Sequence, residues 1–287
     1  MGAFAPGQEK GPRALREAGL IGHLSRAGVG VEDLGDGMIR RWRPDRINRR
    51  AQNAAAVAEV AREAAGRVGE AAEAGQLPLV LGGDCTVELG TVAGLLPYGR
   101  LGLVYFDVHP DLNVPDSVGE GALDWMGVAH MLGEDGAAPE LVGLGGRSPL
   151  FGSGDVFLFS YGPEQATEHE RCVMERRGLK GIPVEEVAAD PEGAAARALS
   201  EMEPRCDRLL VHFDVDTVDF TDLPLSENTG RNEGLPFGVA LRALGVLLGS
   251  GKLSALTVTE FNPDHGEEDG STARALADGL ARALSGA

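Results

Sequence analysis

The chain has 287 residues and a formal net charge of -18, from 26 Lys and Arg against 44 Asp and Glu. This acidity argues against a nucleic acid or an anionic membrane as partner and favours a small cationic ligand. Three cysteines without zinc-finger spacing argue against a disulfide framework. The start has no signal-peptide core, and no apolar run reaches membrane-span length, so we expect one cytoplasmic domain over residues 1–287.

Short apolar strands alternate with longer helical segments along the chain. The predicted elements are, in order, a helix at GPRALREAGLIGHL, a helix from Asn53 to Gly75, a strand at LPLVLGGDC, a helix at VELGTVAGLL, a strand from Leu101 to Phe106, a helix at LDWMGVAHMLG, a strand at DVFLFSYG, helices at EHERCVMERRG and AARALSEM, a strand at RLLVHFDVD, a helix at FGVALRALGVLLG, a strand at LSALTVTEFNPD and a helix from about Ser271 to Leu284. This order predicts an α/β protein with a parallel sheet covered by helices on both faces.

Acidic side chains follow three of the predicted strands. They are Asp107, His109 and Asp111 after the first, Asp214 and Asp216 at the second, and Glu260 at the third. The first motif by itself is equally compatible with a solvated turn. Because ligands collect where parallel strands end, we expect the three groups to converge. Clustered carboxylates repel one another unless cations neutralise them, so the pattern predicts a pair of divalent metal ions.

Four segments together resemble a known family. LGGDCTVELG, FDVHPDLN, HFDVDTVD and EFNP resemble, in order and spacing, the signature segments of the ureohydrolases, the arginase and agmatinase family. KGPRALREAGL and SYGPEQATEHERCVMERRGLK are similar to other recurring stretches of that family, so the resemblance covers nearly the whole chain. It implies a three-layer α/β/α fold around a mainly parallel, eight-stranded sheet, shared with the deacetylases. It also implies a binuclear manganese centre, release of urea from a guanidino compound, and a homo-oligomer, either trimer or hexamer.

The resemblance also implies roles for individual residues. One metal would be held by Cys85, Asp107, Asp111 and Asp214, and the other by His109, Asp107, Asp214 and Asp216. Asp111 would accept a proton from the attacking water and pass it to the leaving amine. Glu260 would bind the guanidinium nitrogens through charge-assisted hydrogen bonds, and Asn113 would contact the substrate.

Cys85 stands where the family normally has a histidine ligand. A thiolate is a softer ligand, so zinc, cobalt or iron are alternatives to manganese at this site. The competing interpretation is that Cys85 is a small buried apolar residue. The same replacement is a feature of the family branch that hydrolyses N-hydroxyarginine, which makes that activity an alternative.

The segment VGEGALDWMG departs from the arginase pattern. Glu120, Gly121 and Ala122 replace the residues that bind the substrate carboxylate, and Glu120 would repel that group. Thr167 replaces an amine-binding Asp, although Glu170 is retained as a substrate-binding candidate. We therefore expect a substrate other than free L-arginine. Asp124 occupies the position of a proton-shuttling His and is a candidate relay, although a helix N-cap for WMGVAHML is the favoured interpretation.

Two further functions remain open. A single-zinc, deacetylase-like amidohydrolase would use Asp107, His109 and Asp214, but it would not need the other carboxylates. A catalytically impaired binding protein on the same scaffold would explain Cys85. His130 within a helical pattern and His212 within a strand are interpreted as core or flanking histidines.

Overall fold

A parallel sheet forms the centre of the protein in a computed structural model that describes residues 1–286. Its strands are β1 (Leu79–Leu81), β2 (Leu101–Phe106), β3 (Val156–Tyr161), β4 (Lys180–Pro183), β5 (Arg208–Asp214) and β6 (Leu253–Thr259). They are arranged in the order β1-β6-β5-β2-β3-β4, and every neighbouring pair is parallel. All six strands therefore end at the same edge of the sheet.

Helices cover both faces of this sheet. They are α1 (Gly11–Glu17), α2 (Leu20–Arg26), α3 (Ala54–Glu73), α4 (Glu88–Leu95), α5 (Gly127–Met131), α6 (Glu168–Arg177), α7 (Val184–Ala189), α8 (Pro191–Met202), α9 (Phe237–Leu248) and α10 (Ser271–Ser285). Within residues 1–286, none of them combines the length and apolar character that would be needed to cross a bilayer.

Side chains of the central strand β2 alternate between two apolar cores, as a strand buried on both faces requires. Leu103 and Tyr105 belong to the core beneath α3 and α4. Val104 and Phe106 belong to the core beneath α8, α9 and α10. The three-layer α/β fold predicted from the sequence is therefore confirmed.

The strand number and two helices differ from the sequence prediction. The described residues contain six strands and not eight. Residues 27–53 remain without helix or strand, because they are rich in glycine and charged residues. The predicted first helix is divided into α1 and α2 at Gly19, whose φ of 96° breaks the helical backbone. The predicted helix at Leu123 is a short 3-10 turn followed by only five α-helical residues, whereas β4 and α7 were not predicted.

Candidate metal centre

The predicted site residues lie at the carboxyl edge of the central strands. Asp107 directly follows β2, Asp214 is the last residue of β5, and Glu260 directly follows β6. Cys85 begins the short 3-10 helix after β1, and all four side chains are buried. We call these four residues the floor of the site.

Two residues near this edge have a backbone conformation that L-amino acids rarely adopt. Asp111 has a φ of 51° and Glu260 has a φ of 65°. Such a conformation costs about 1–3 kcal/mol and persists only where the surrounding structure enforces it. The backbone is therefore strained at the two positions proposed for catalysis.

A first group of potential ligands contains Cys85, Asp107, Asp214 and, in addition, His212. One ligand atom from each lies within 4.8 Å of the others, and all four residues are buried. The Cys85 thiol donates a hydrogen bond to Asp214 Oδ2 over 2.7 Å and contacts Thr259 Oγ1 at 3.3 Å. Cys85 therefore faces the acidic cluster rather than an apolar core. We call these four residues the inner group.

A second group contains Asp107, His109 and Asp216, which also lie within 4.8 Å of one another. His109 Nδ1 is 2.9 Å from Asp216 Oδ2 and 3.6 Å from Asp107 Oδ1. Asp214 accepts a 2.7 Å hydrogen bond from the backbone nitrogen of Asp216, which holds the two aspartates side by side. We call Asp107, His109 and Asp216 the outer group; it shares Asp107 with the inner group.

The donor atoms fit divalent metal ions. Among the described residues, Asp107 Oδ2 and Asp216 Oδ1 are buried oxygens without a hydrogen-bond partner. Burial and the charge of Asp216 raise the pKa of Asp107 to about 6, and burial and Asp216 also raise that of Asp214. Carboxylates that crowd together without solvent are stabilised in their charged form when cations bind between them.

Two groups in the cluster have pKa values that follow from the same crowding. Burial, followed by the negative charge of Asp214, raises the pKa of the Cys85 thiol well above its usual value. Burial lowers the pKa of His109, but the charges of Asp216 and Asp107 outweigh it and raise that pKa well above the ordinary value. Without metal the Cys85 thiol is therefore protonated. The His109 imidazole is then a cation and supplies part of the positive charge that a metal ion would supply.

Asp111 lies beside the cluster but not within either group of ligand atoms. Its carboxylate accepts a hydrogen bond from the Tyr105 hydroxyl, and its backbone oxygen accepts one from Ala129. Burial, followed by the charge of Asp107, raises its pKa well above the usual value. Asp111 is thus placed for proton exchange near the cluster.

Glu260 is held by two donors from distant parts of the chain. Its Oε1 accepts a hydrogen bond from the Cys85 backbone nitrogen over 3.2 Å, and its Oε2 accepts one from Gln8 Nε2. Burial, followed by the charge of Asp124, raises its pKa well above the usual value. No local sequence pattern points to Gln8, because its place beside Glu260 depends on long-range folding.

Asp124 does not cap a helix, so that interpretation is wrong. It is the first residue of a 3-10 turn, and α5 begins only at Gly127 after Met126. Its Oδ1 accepts a hydrogen bond from the adjacent Trp125 nitrogen over 3.1 Å. The side chain is buried, and burial, followed by the charge of Asp84, raises its pKa well above the usual value.

The loop after Asp111 carries the residues predicted to contact substrate. Asn113 is buried, and its Oδ1 accepts hydrogen bonds from Ser117 Oγ and from Thr167 Oγ1. Glu170 is also buried, and its two carboxylate oxygens accept hydrogen bonds from the backbone nitrogens of Leu112 and Thr167. Glu170 therefore connects α6 to the loop that contains Asp111.

Glu120 is exposed in the same loop and adjoins a basic turn. Its backbone oxygen accepts a 2.7 Å hydrogen bond from Gln52 Nε2, and the carbonyl of Gly121 accepts one from the Gln52 nitrogen. A Cβ on Gly121, whose φ is 68°, would lie 2.0 Å from the carbonyl oxygen of Arg49, so only glycine permits this contact. We call residues 113–121 together with residues 45–53 the rim.

His212 is the residue of the inner group that sequence reasoning missed. Its place inside an apolar strand predicts a core or flanking histidine. It stands two positions before Asp214 on β5, so both side chains point to the same face of the sheet. That spacing was the available signal.

The chain is similar to proteins of known activity over nearly its whole length. A family model described as Arginase family matches residues 1–285. Arginase of Bacillus caldovelox is 31% identical over 290 residues, covering 98% of this chain and 94% of that protein. Arginase-1 of Homo sapiens is 28% identical, covering 97% of this chain and 87% of that protein. The solved structure of the Bacillus caldovelox arginase gives a TM-score of 0.87 at 28% identity, covering 97% and 94% of the two chains.

Proposed function

The chain belongs to the arginase family, and on that premise we propose that it hydrolyses a linear guanidino compound other than free L-arginine, releasing urea or a urea derivative. The observation that carries the proposal is a pair of buried carboxylate oxygens, on Asp107 and Asp216, that have no hydrogen-bond partner among residues 1–286. Asp107 belongs to both ligand groups and Asp216 to the outer one. Neither a one-metal deacetylase nor a binding scaffold requires so many buried carboxylates at one edge.

The metal ligands of the proposal are those predicted from the family resemblance. They are Cys85, Asp107, His109, Asp111, Asp214 and Asp216. Two divalent ions would be held there, manganese by the family resemblance, or zinc, cobalt or iron because of the thiol. The chemistry that such ions supply when bound is a water activated for attack at neutral pH.

Glu260 is proposed to bind the guanidinium end of the substrate. Its two oxygens each accept one hydrogen bond, from Cys85 N and Gln8 Nε2, which leaves acceptor positions on both atoms. A guanidinium presents donors in a planar fork that matches a carboxylate. The two existing hydrogen bonds fix the orientation of Glu260, so little reorganisation is needed when the substrate binds.

Proton transfer is proposed to pass through Asp111. Its carboxylate lies beside the cluster and accepts a hydrogen bond from the Tyr105 hydroxyl, so it is placed to take a proton from the attacking water and return it to the leaving amine. Asp124 is a candidate relay, because its buried carboxyl also holds a proton more strongly than usual.

The substrate tail is proposed to lack the α-amino acid group of arginine. Thr167 Oγ1 is occupied by Asn113 Oδ1 and by the Glu170 nitrogen, so it offers no charge to an α-amine. Glu120 would repel a carboxylate. Asn113 and Glu170 shape the same loop, and we propose that they contact the substrate through it.

N-hydroxyarginine is the second candidate, and the basic turn of the rim favours it. Arg46 and Arg49 are exposed next to the loop that contains Glu120, and within residues 1–286 neither forms an ion pair. These cations would offset the repulsion between Glu120 and a substrate carboxylate. Cys85 also matches the family branch that acts on this compound.

The experiment is a substrate panel with the purified protein in manganese, cobalt or zinc. Agmatine, 4-guanidinobutyrate, N-hydroxyarginine and arginine are incubated with it, and urea and hydroxyurea are measured. We expect one of the first three to exceed arginine by at least tenfold in kcat/KM, with Asp111→Asn as the inactive control. Failure to release either product from all four compounds would overturn the proposal. Arginine or N-hydroxyarginine as best substrate would overturn the proposed tail, and N-hydroxyarginine would do so in favour of the second candidate.

Two properties complete the proposal. The family premise supports a cytoplasmic location. The same premise supports a trimer or hexamer, which sedimentation analysis can test.

A further inference from the structure

A buried carboxylate–imidazole pair lies directly behind the inner group. Glu88, the first residue of α4, and His212 on β5 are both fully buried, with Glu88 Oε2 3.2 Å from His212 Nδ1. The carboxylate accepts a hydrogen bond from Nδ1, which leaves the lone pair of the imidazole on Nε2. A carboxylate behind an imidazole in this way is the usual support of a metal-ligating histidine.

The other nitrogen of His212 faces the cluster. Nε2 is 3.2 Å from Thr259 Oγ1, and the same hydroxyl is 3.3 Å from Cys85 Sγ. The ring is fixed in this direction because it stacks on Tyr105 with a centroid distance of 4.2 Å and an interplanar angle of 5°. The imidazole is therefore already oriented towards Cys85.

The Asp111 carboxylate does not lie among the ligand atoms of the inner group. The ligand atoms within 4.8 Å of one another come from Cys85, Asp107, His212 and Asp214, whereas the Asp111 carboxylate is engaged by the Tyr105 hydroxyl. His212 thus takes the place that the family resemblance gives to Asp111. His212 joins the inner group, and Asp111 remains beside it.

A purely structural role explains the buried pair of Glu88 and His212 less well than metal binding does. Glu88 Oε1 is buried without a hydrogen-bond partner among the described residues. A buried carboxylate with a free oxygen is costly unless a positive charge compensates for it. A cation on the far side of the imidazole would supply that charge through the ring.

We propose that His212 Nε2 ligates the inner metal ion together with Cys85, Asp107 and Asp214, and that this ion is zinc. One sulfur, one nitrogen and two carboxylate oxygens form a donor set that suits four-coordinate zinc better than manganese. The imidazole missing at position 85 is replaced by one from β5. This inference rests on the proposed metal centre and replaces Asp111 with His212 among its six ligands. It does not depend on the identity of the guanidino substrate.

The first test compares metal binding in matched variants. His212→Asn and Glu88→Gln should each weaken binding of the inner zinc ion by about 10- to 100-fold and leave the outer ion bound. Competition with a chromophoric chelator measures both affinities. Asp111→Asn should retain two zinc ions per chain. His130→Gln is the control for loss of a buried histidine, because His130 binds Met126 O and Ala138 N away from the cluster. Two tightly bound ions in His212→Asn, or loss of one in Asp111→Asn, would overturn the inference.

The second test uses the unaltered protein and so does not depend on a variant that folds. X-ray absorption of the fully zinc-loaded protein should show a sulfur at about 2.3 Å and two imidazole ligands per two ions, from His109 and His212. One imidazole per two ions would overturn the inference and leave the proposed function intact. Two imidazoles with no urea or hydroxyurea from the panel would support the inference and overturn the proposed function.

Discussion

The floor and the rim of the site contrast in burial and in the way their carboxylates are held. Asp107 on the floor is buried among other carboxylates, and its pKa rises to about 6. Asp45 on the rim is only half-buried, and hydrogen bonds from Asn48, Asn53 and Ile47 lower its pKa to about 2. The carboxylates of the floor therefore require a cation from outside the chain. The Asp45 carboxylate on the rim is instead stabilised by hydrogen bonds from neighbouring residues. This difference separates the part that we propose performs the chemistry from the part that we propose selects the substrate.

The largest effect is expected from the residue shared by both ligand groups. Asp107→Asn removes a charge from the inner and the outer group, so both ions should be lost. Since the metal contributes several kcal/mol to the transition state, kcat should fall on the order of 10³-fold. Metal content and urea release would be measured together. Asp116→Asn on the rim is the control and should stay within about twofold, because its ion pair with Arg50 is exposed. Equal losses in both variants would remove the distinction between floor and rim.

The pH dependence of stability should differ between the metal-free and the metal-loaded protein. In the metal-free protein, the folded pKa of Asp107 is about 6 against an ordinary 3.8, so the unfolded chain releases its proton first as pH rises. Stability then falls between about pH 4 and 6, by about 3 kcal/mol from this group. His109 has a raised folded pKa, and its contribution is likewise lost as pH rises through that value.

Thermal unfolding in a chelator from pH 4.5 to 8 would test this. The Tm of the metal-free protein should fall with pH, and that of the metal-loaded protein should rise, because ligands must lose protons to bind metal. Parallel curves would show that the floor does not depend on cations.

The third prediction concerns the choice of metal by the floor. Cys85→His replaces a soft ligand with a borderline one and should raise manganese affinity relative to zinc by on the order of tenfold. Cys85→Ala should weaken binding of the inner ion without affecting the outer group, which does not contain Cys85. Elemental analysis after dialysis against mixed metals would measure both effects. Unchanged metal content in both variants would make Cys85 a packing residue.

The smallest effect is expected on the rim. Glu120→Gln removes an exposed charge worth about 1 kcal/mol, so the ratio of KM values for agmatine and 4-guanidinobutyrate should shift roughly fivefold towards the carboxylate. kcat should remain unchanged, because the floor is intact. Glu140→Gln, an exposed residue outside the rim, serves as the control. A change in kcat without a change in the KM ratio would place Glu120 with the catalytic residues.

Much of the fold and the floor could be predicted from the sequence, because both depend on periodic local patterns. Five of the six strands, and the position of Asp107 and Asp214 at strand ends, follow from apolar runs bounded by acidic residues. The missing strand β4 has the sequence KGIP, which is too short and too polar to stand out. The predicted N-cap role of Asp124 is wrong because the N-cap preference of Asp does not determine where a helix begins. The α-helix α5 begins three residues after Asp124.

The amino-acid sequence by itself determined which side chains are available at the sheet edge, since alternation along a strand and the polarity of parallel strands are local and topological rules. Only the tertiary structure decided which of them meet. His212 lies near Cys85 because β5 and β1 are both neighbours of β6. Asp111, whose backbone φ is positive, accepts a hydrogen bond from the Tyr105 hydroxyl. The contact between Arg49 and Gly121 likewise depends on residues that are far apart in the chain, and no local pattern encodes such a distance.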